Sequence, residues 1–264
     1  MKLLLTADFH FHKPWFDWIL RVADRYDLVC IAGDLLDMFH PEGVVPQLIY
    51  VYEWMQTLMK LQVPVALCSG NHDLLGNTPI LVPGVSIRKD KLPILGEFAK
   101  HRHWLHSLKM SHLVAVDDDS KIIRTRGGEA ITVVCLPYAA DGHVQSLNPA
   151  AQPYLILHHE PPAQTRIAEP KDGSREFALV VARQQPTWTL SGHVHFTLGA
   201  ENDFLQRIGH SWCFICRQTP PAVVLPPEPN FIVLDTKKSE ASWFHWPSLE
   251  KAEELKVPLP YPRG

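Results

Sequence analysis

One pairing recurs along this chain and constrains what it can become: a short apolar run, then at once a cluster of residues able to hold a cation. The apolar runs cover residues 2–7, 28–32, 63–69, 131–136, 154–157 and 187–190. Each is mostly apolar rather than alternating, the pattern of a strand buried on both faces. Helical stretches separate the early ones. Residues 14–25 open with a proline suited to a first turn, and residues 46–61 carry apolar side chains at helical spacing. The first part therefore reads as β-α-β-α-β, a parallel sheet covered by helices.

The second half changes character. Residues 112–116, the turn Asp117-Asp118-Asp119, residues 121–126, Gly127-Gly128 and residues 131–136 read as a meander with tight turns. Further strands are expected at 203–208, 211–216, 231–235 and 242–246, and a helix at 174–184. Two facing sheets with helices outside accommodate both halves in a single domain over residues 1–264, ending in a Pro-rich tail at 247–264.

Composition narrows the functional classes. The chain has 264 residues, 46% of them hydrophobic, enough for one large core. Its 25 Lys plus Arg against 28 Asp plus Glu give a net charge of −3, with no general attraction to nucleic acid or anionic membrane. No apolar run is long enough to cross a bilayer, and a cleavable signal would remove the cluster at Asp8, so the expected compartment is the cytoplasm. An odd count of five cysteines argues against a disulfide framework. Cys213 and Cys216 form a C-x-x-C, but inside a strand-like run they point to opposite faces and read as buried hydrophobes.

The clusters carry the chemistry. They are Asp8-Phe9-His10, Gly33-Asp34, Gly70-Asn71-His72-Asp73, His158-His159 and Gly192-His193-Val194-His195. On an extended strand end, Asp8 and His10 would share a side with Phe9 turned inward, as would His193 and His195 around Val194. Asp34 follows a glycine that permits a sharp turn, and a carboxylate can bridge two cations through its two oxygens. Asn71 offers a carbonyl ligand, and His72 can carry a proton for a leaving oxygen. Of the neighbouring histidines only one can face the site; His158, first after its run, is the expected ligand and His159 the alternate. Each cluster ends an apolar strand, where open α/β sheets gather their sites on one rim. Two cations held there by carboxylate, imidazole and amide groups can activate water and neutralise a phosphate together.

The ordered set D-x-H, G-D-x-x-D, G-N-H-D, His and G-H-x-H resembles the calcineurin-like metallophosphoesterase superfamily from Lys2 to about Phe196. The resemblance implies an α/β fold, a four-layer α/β/β/α sandwich of two mixed sheets flanked by helices, and two metal ions drawn from Mn, Fe and Zn. By motif position, Asp8, His10, Asp34 and His195 would hold one metal, and Asp34, Asn71, His158 and His193 the other. His72 would protonate or stabilise the leaving oxygen, partnered by Asp37. Met38-Phe39 stands where protein phosphatases of the superfamily have Arg-Gly. The lipid A pathway hydrolases carry Arg in place of His72. Only a short stretch after His195 is left for the capping domain of the DNA repair nucleases. The reading that remains is a small single-domain phosphoesterase acting on a small phosphorylated substrate, mono- or diester. The alternatives are a catalytically silent scaffold of the same fold and a zinc or redox protein built on Cys213 and Cys216.

Nearby elements read as substrate-selecting. Residues 74–93 are rich in breakers and would form either a lid or a surface loop. Arg88, Lys89 and Lys91 could meet an anion, and Phe11 or Trp15 could line the mouth.

Overall fold

The computed structural model describes residues 1–75, 88–98, 100, 103–125, 127–138, 153–168, 172–197, 203–220, 224–247 and 250–260. In chain order these fold as β1 (Lys2–Thr6), α1 (Lys13–Val22), β2 (Leu28–Ala32), α2 (Val44–Met59), β3 (Val65–Cys68), α3 (Leu92–Phe98), β4 (Val114–Ala115), β5 (Ser120–Arg124), β6 (Ala130–Cys135), β7 (Tyr154–Leu157), α4 (Arg175–Gln184), β8 (Trp188–Ser191), β9 (Leu205–Ile208), β10 (Ser211–Ile215), β11 (Phe231–Asp235), β12 (Glu240–His245) and β13 (Glu253–Pro258).

Two mixed sheets result. The first has the order β13-β12-β11-β1-β2-β3-β4, the second β5-β6-β7-β8-β10-β9. Strands β1 to β4 run parallel, and β11, β12 and β13 extend that sheet in antiparallel sense. In the second sheet β6, β7, β8 and β10 are parallel, with β5 and β9 antiparallel at its edges.

Strand parity builds the layers. Leu3, Leu5, Leu28, Cys30, Ala32, Ala66 and Cys68 face the second sheet, packing with Val133, Cys135, Leu155, Leu157, Leu190 and Phe214. The intervening Leu4, Val29, Ile31, Val65 and Leu67 turn outward onto Trp15, Phe16, Trp54 and Met55 of α1 and α2. On the far side Val134, Tyr154, Ile156 and Ile215 meet Phe177, Val180 and Val181 of α4. This is the four-layer α/β/β/α arrangement. Small side chains on the inner face let β2 and β3 come within 8 Å, Cα to Cα, of strands β6, β7 and β8, inside the ~10 Å usual for stacked sheets.

Local sequence explains the helices. In α1, Pro14 occupies the first turn, and Trp15, Phe16, Trp18, Ile19 and Val22 bury one face. Before α4, the Ser174 hydroxyl accepts a bond from the Phe177 amide at 3.0 Å, and left-handed Gln185 ends the helix.

Two expectations fail. Residues 112–116 supply no strand to the meander; β4 pairs in parallel with β3, and the chain crosses to the second sheet only after Asp117–Asp119. Within the stretch read as a tail, β13 closes the edge of the first sheet against β12. Its alternating Glu254, Leu255, Lys256 and Val257, ending on Pro258, suit an exposed edge that resists pairing with other chains. Most of the breaker-rich stretch, residues 76–87, lies outside the described residues, and its end enters α3. Among the described residues no helix is long and apolar enough to cross a membrane.

Candidate metal centre

The carboxyl ends of β1, β2, β3, β7 and β8 meet on one rim, and the polar clusters that follow them converge there. They do so through strained backbone rather than by strand alternation. Asp8, His10, Asp34 and His193 have φ of 55°, 42°, 53° and 70°, a left-handed conformation uncommon outside glycine. Such strain costs about 1–3 kcal/mol per residue and persists where surroundings enforce it. Here the Asp8 amide donates to Gly33 O at 3.0 Å, and the His10 amide to Asp34 O at 2.9 Å. The Asp8 carboxylate in turn accepts from the His193 amide at 2.8 Å. Gly33, at φ +83°, is required twice over, because a Cβ there would lie 2.5 Å from His159 Nδ1.

The side chains form three overlapping groups. Ligand atoms of Asp8, His10 and His195 lie within 4.8 Å of one another, and so do those of Asp8, Asp34 and His159 and those of His10, Asp34 and His72. Asp34 is common to the last two: its Oδ2 is 3.3 Å from His159 Nε2 and 3.7 Å from His10 Nε2. Asn71 Oδ1 lies 3.0 Å from both His159 Nε2 and His193 Nδ1.

His158 is a correction. Its ring packs on Phe177, 4.7 Å between centroids, on the α4 side of the second sheet, and burial pushes its pKa down to about 3. It is His159 that reaches Asp34 and Asn71. Parity decides this: Leu155 and Leu157 face the first sheet, so residue 159 does as well. Because β7 is buried on both faces, its apolar pattern gave no sign of which parity looked inward.

The donors fit a cation. Asp8 Oδ2 and both ring nitrogens of His10 are buried without a hydrogen-bond partner among the described residues, an arrangement that costs stability unless something else satisfies them. His159 Nδ1 lies 2.8 Å from Ala32 O, and His195 Nδ1 3.3 Å from Gln218 O. A carbonyl can only accept, so these Nδ1 atoms carry protons, and each Nε2, once deprotonated, is the atom that would face a cation. Electrostatics agree. Burial opposes charge on His159, yet the Asp34 and Asp8 carboxylates outweigh it and raise its pKa to about 10. Burial alone would raise Asp34, but His159, His10 and His72 hold it below the usual carboxylate range. Burial lowers His10 to about 3 and His193 to about 4, and raises Asp8. Asp8 and Asp34 thus favour positive charge at this place, carried by the His159 ring here and supplied by a cation when one is bound.

His72 stands at the edge of this group, its ring 4.5 Å from that of His10. Its amide donates to Asp34 Oδ1 at 2.8 Å, and its Nδ1 lies 3.5 Å from Asp37 Oδ1 and 3.4 Å from the Met38 amide nitrogen. Two positioning residues escaped the sequence reading. Buried Asp73, the last residue of G-N-H-D, accepts from the amides of Leu35, Leu36 and Gly70, tying the loops after β2 and β3 together. Burial, with the charge of Asp34, pushes it up to about 7. Gln47 is fully buried in α2; its Oε1 accepts from the Asp37 amide and its Nε2 donates to Asp37 O and Gly43 O. A polar residue on the apolar face of a helix is the signal that could have found it.

Other expectations shift. Phe11 and Trp15 are core, 3% and 1% exposed. The aromatic rings at the site are Phe39, 5.5 Å from His72, and Tyr138, 5.8 Å from His159. Arg88 pairs with Asp90, and Lys91 with Glu53 of α2. Cys213 and Cys216 point to opposite sides of their sheet, both buried, with thiol pKa values raised by burial, so these two thiols do not form a pair.

Comparison with known proteins adds the lineage. The family model for calcineurin-like phosphoesterases matches residues 1–196. No curated protein matches the chain. Among solved structures, TT1561 of Thermus thermophilus is 14% identical with a TM-score of 0.51, over 96% of this chain and 97% of that one. Yfce, a phosphoesterase from E. coli, is 14% identical with a TM-score of 0.45, over 98% of this chain and 100% of that one.

Proposed function

Because the chain belongs to the calcineurin-like phosphoesterase family, metal-dependent hydrolases of phosphoester bonds, we propose that it hydrolyses a small phosphoester at a dinuclear centre. Asp8, His10, Asp34 and His195 would hold one cation, and Asp34, Asn71, His159 and His193 the other. The observation that carries this reading is the Asp34 carboxylate set between His10 and His159. Two cations so held supply water activated near neutral pH and positive charge against the phosphate oxygens.

The chain's own groups do the rest. His159 Nδ1 and His195 Nδ1, anchored on backbone carbonyls, keep their rings from turning away. Asp73 holds the Asp34 and His72 loops in register. His72, beside Asp37, would give a proton to the oxygen that leaves as the P–O bond breaks, so that water and a monoester become phosphate and alcohol, or water and a diester become a monoester and alcohol. The chemistry of the donor set suits Mn, Fe or Zn.

The test is a hydrolysis panel of mono- and bis-aryl phosphates and cyclic and linear nucleotides, run on protein reconstituted with Mn, Fe or Zn. Turnover of at least one class, abolished by chelation, is expected. Absence of turnover with every metal would favour a silent scaffold instead.

A further inference from the structure

We infer that Phe39, with Met38 next to it in the chain and Leu74 at the end of the turn that carries His72, forms a subsite for an aromatic ring carried by the leaving group of the substrate. The inference rests on the phosphoesterase reading above and on the place of His72 within it. Phe39 is 79% exposed, Met38 42% and Leu74 40%. Met38 and Phe39 follow Asp37 directly, and Leu74 follows the 3-10 turn Asn71–Asp73 that carries His72. Single exposed apolar residues are ordinary on a protein surface, but neighbouring ones beside a polar pocket mark a binding surface.

Position makes the assignment specific. The Phe39 ring stands edge-on to His72, 5.5 Å between centroids at 83°. A leaving oxygen that takes its proton from His72 therefore departs next to Phe39, within reach of one ring attached at or near that oxygen.

The backbone beneath is already fixed. The Phe39 amide donates to Asp37 Oδ1 at 2.9 Å, the Met38 amide lies 3.4 Å from His72 Nδ1, and Gln47 holds Asp37 from below. The phenyl ring is thus presented to solvent by an ordered loop, so little ordering cost falls on binding. On the other side of the centre, Tyr138 lies against His159 and His193.

Two methyl phosphodiesters with leaving groups of matched acidity test this, one aryl and one fluoroalkyl. Each would be assayed with metal-reconstituted wild type, Phe39→Ala and Phe39→Trp. An aromatic contact of this kind is worth roughly 3- to 10-fold. The aryl-to-fluoroalkyl ratio of kcat/KM should fall by that factor in Phe39→Ala and stay near the wild-type value in Phe39→Trp. A disturbance of His72 would slow both esters alike and leave the ratio unmoved. An unchanged ratio in Phe39→Ala, with both esters turned over, overturns the subsite and spares the phosphoesterase reading. Failure of wild type on both esters and on the matching aryl and fluoroalkyl phosphomonoesters overturns that reading, and the subsite with it; turnover of the monoesters alone moves the same ratio test to that pair.

Discussion

Asp34 Oδ2 lies 3.3 Å from Nε2 of His159, joining the loop after β2 in one sheet to the loop after β7 in the other. The contact makes one carboxylate common to both halves of the candidate centre. Its fixed position comes from the His72 amide on Oδ1 and from Gly70, where a Cβ would fall 2.1 Å from that oxygen.

Replacing this shared carboxylate should empty both halves together. Asp34→Asn is expected to reduce bound metal from about two ions per chain to well below one, read by elemental analysis after reconstitution. Loss of one ion with full retention of the other would mean that Asp34 serves a single cation.

The two adjacent histidines should separate cleanly. His159→Ala is expected to lower metal content and activity. His158→Ala should keep bound metal while lowering the thermal midpoint, since removing a ring buried against Phe177 leaves a cavity costing about 2–4 kcal/mol. Equal metal loss in both variants would contradict the orientation described for β7.

His72→Ala should reduce kcat by about 10²–10⁴ with metal content preserved. The loss should be smaller for a good leaving group such as nitrophenolate, which needs no proton. A variant as active as wild type on a poor leaving group would remove His72 from the mechanism.

Stability should respond to pH through Asp117, away from the cation ligands. Burial raises this carboxyl from 3.8 to about 6, although Ser69 donates to it. The folded state therefore keeps the proton at pH values where the unfolded chain has lost it, and the stability this contributes is present below pH 4 and lost as pH rises through 6. Neighbouring His103, lowered to about 4 by burial, acts in the opposite sense as pH falls, and its Nδ1 lies 3.7 Å from Asp117 Oδ2, so the comparison is made in a His103→Gln background. Asp117→Asn keeps Oδ1 as acceptor, so its stability relative to that parent should grow by about 2–3 kcal/mol between pH 4 and 7. A constant difference across that range would show that Asp117 ionises normally in the fold.

Much of this site was legible in the chain itself, because metal ligands are chemically particular and strand ends are marked by apolar runs breaking into glycine and polar residues. Asp8, His10, Asp34, Asn71, His193 and His195 meet on one rim as their order suggested. The route differs from the expected strand alternation, since left-handed backbone at Asp8, His10 and His193 aims these side chains. Such conformations depend on hydrogen bonds that Asp8, His10 and His193 donate to Gly33 O, Asp34 O and the Asp8 carboxylate, which local sequence does not display. The edge strand β13 was obscured for a related reason: its charges and proline serve solvent exposure, so it lacks the signature of the core strands.

The sequence alone determined the types of donor, their order and the parallel strands that carry them, because residue chemistry and apolar periodicity are local properties. Tertiary structure decided that His159 rather than His158 looks inward, that the Asp34 carboxylate lies between His10 and His159, and that Asp73 and Gln47 hold the loops. Each of these depends on which face of one sheet meets the other, and a strand that is apolar on both faces carries no record of that choice.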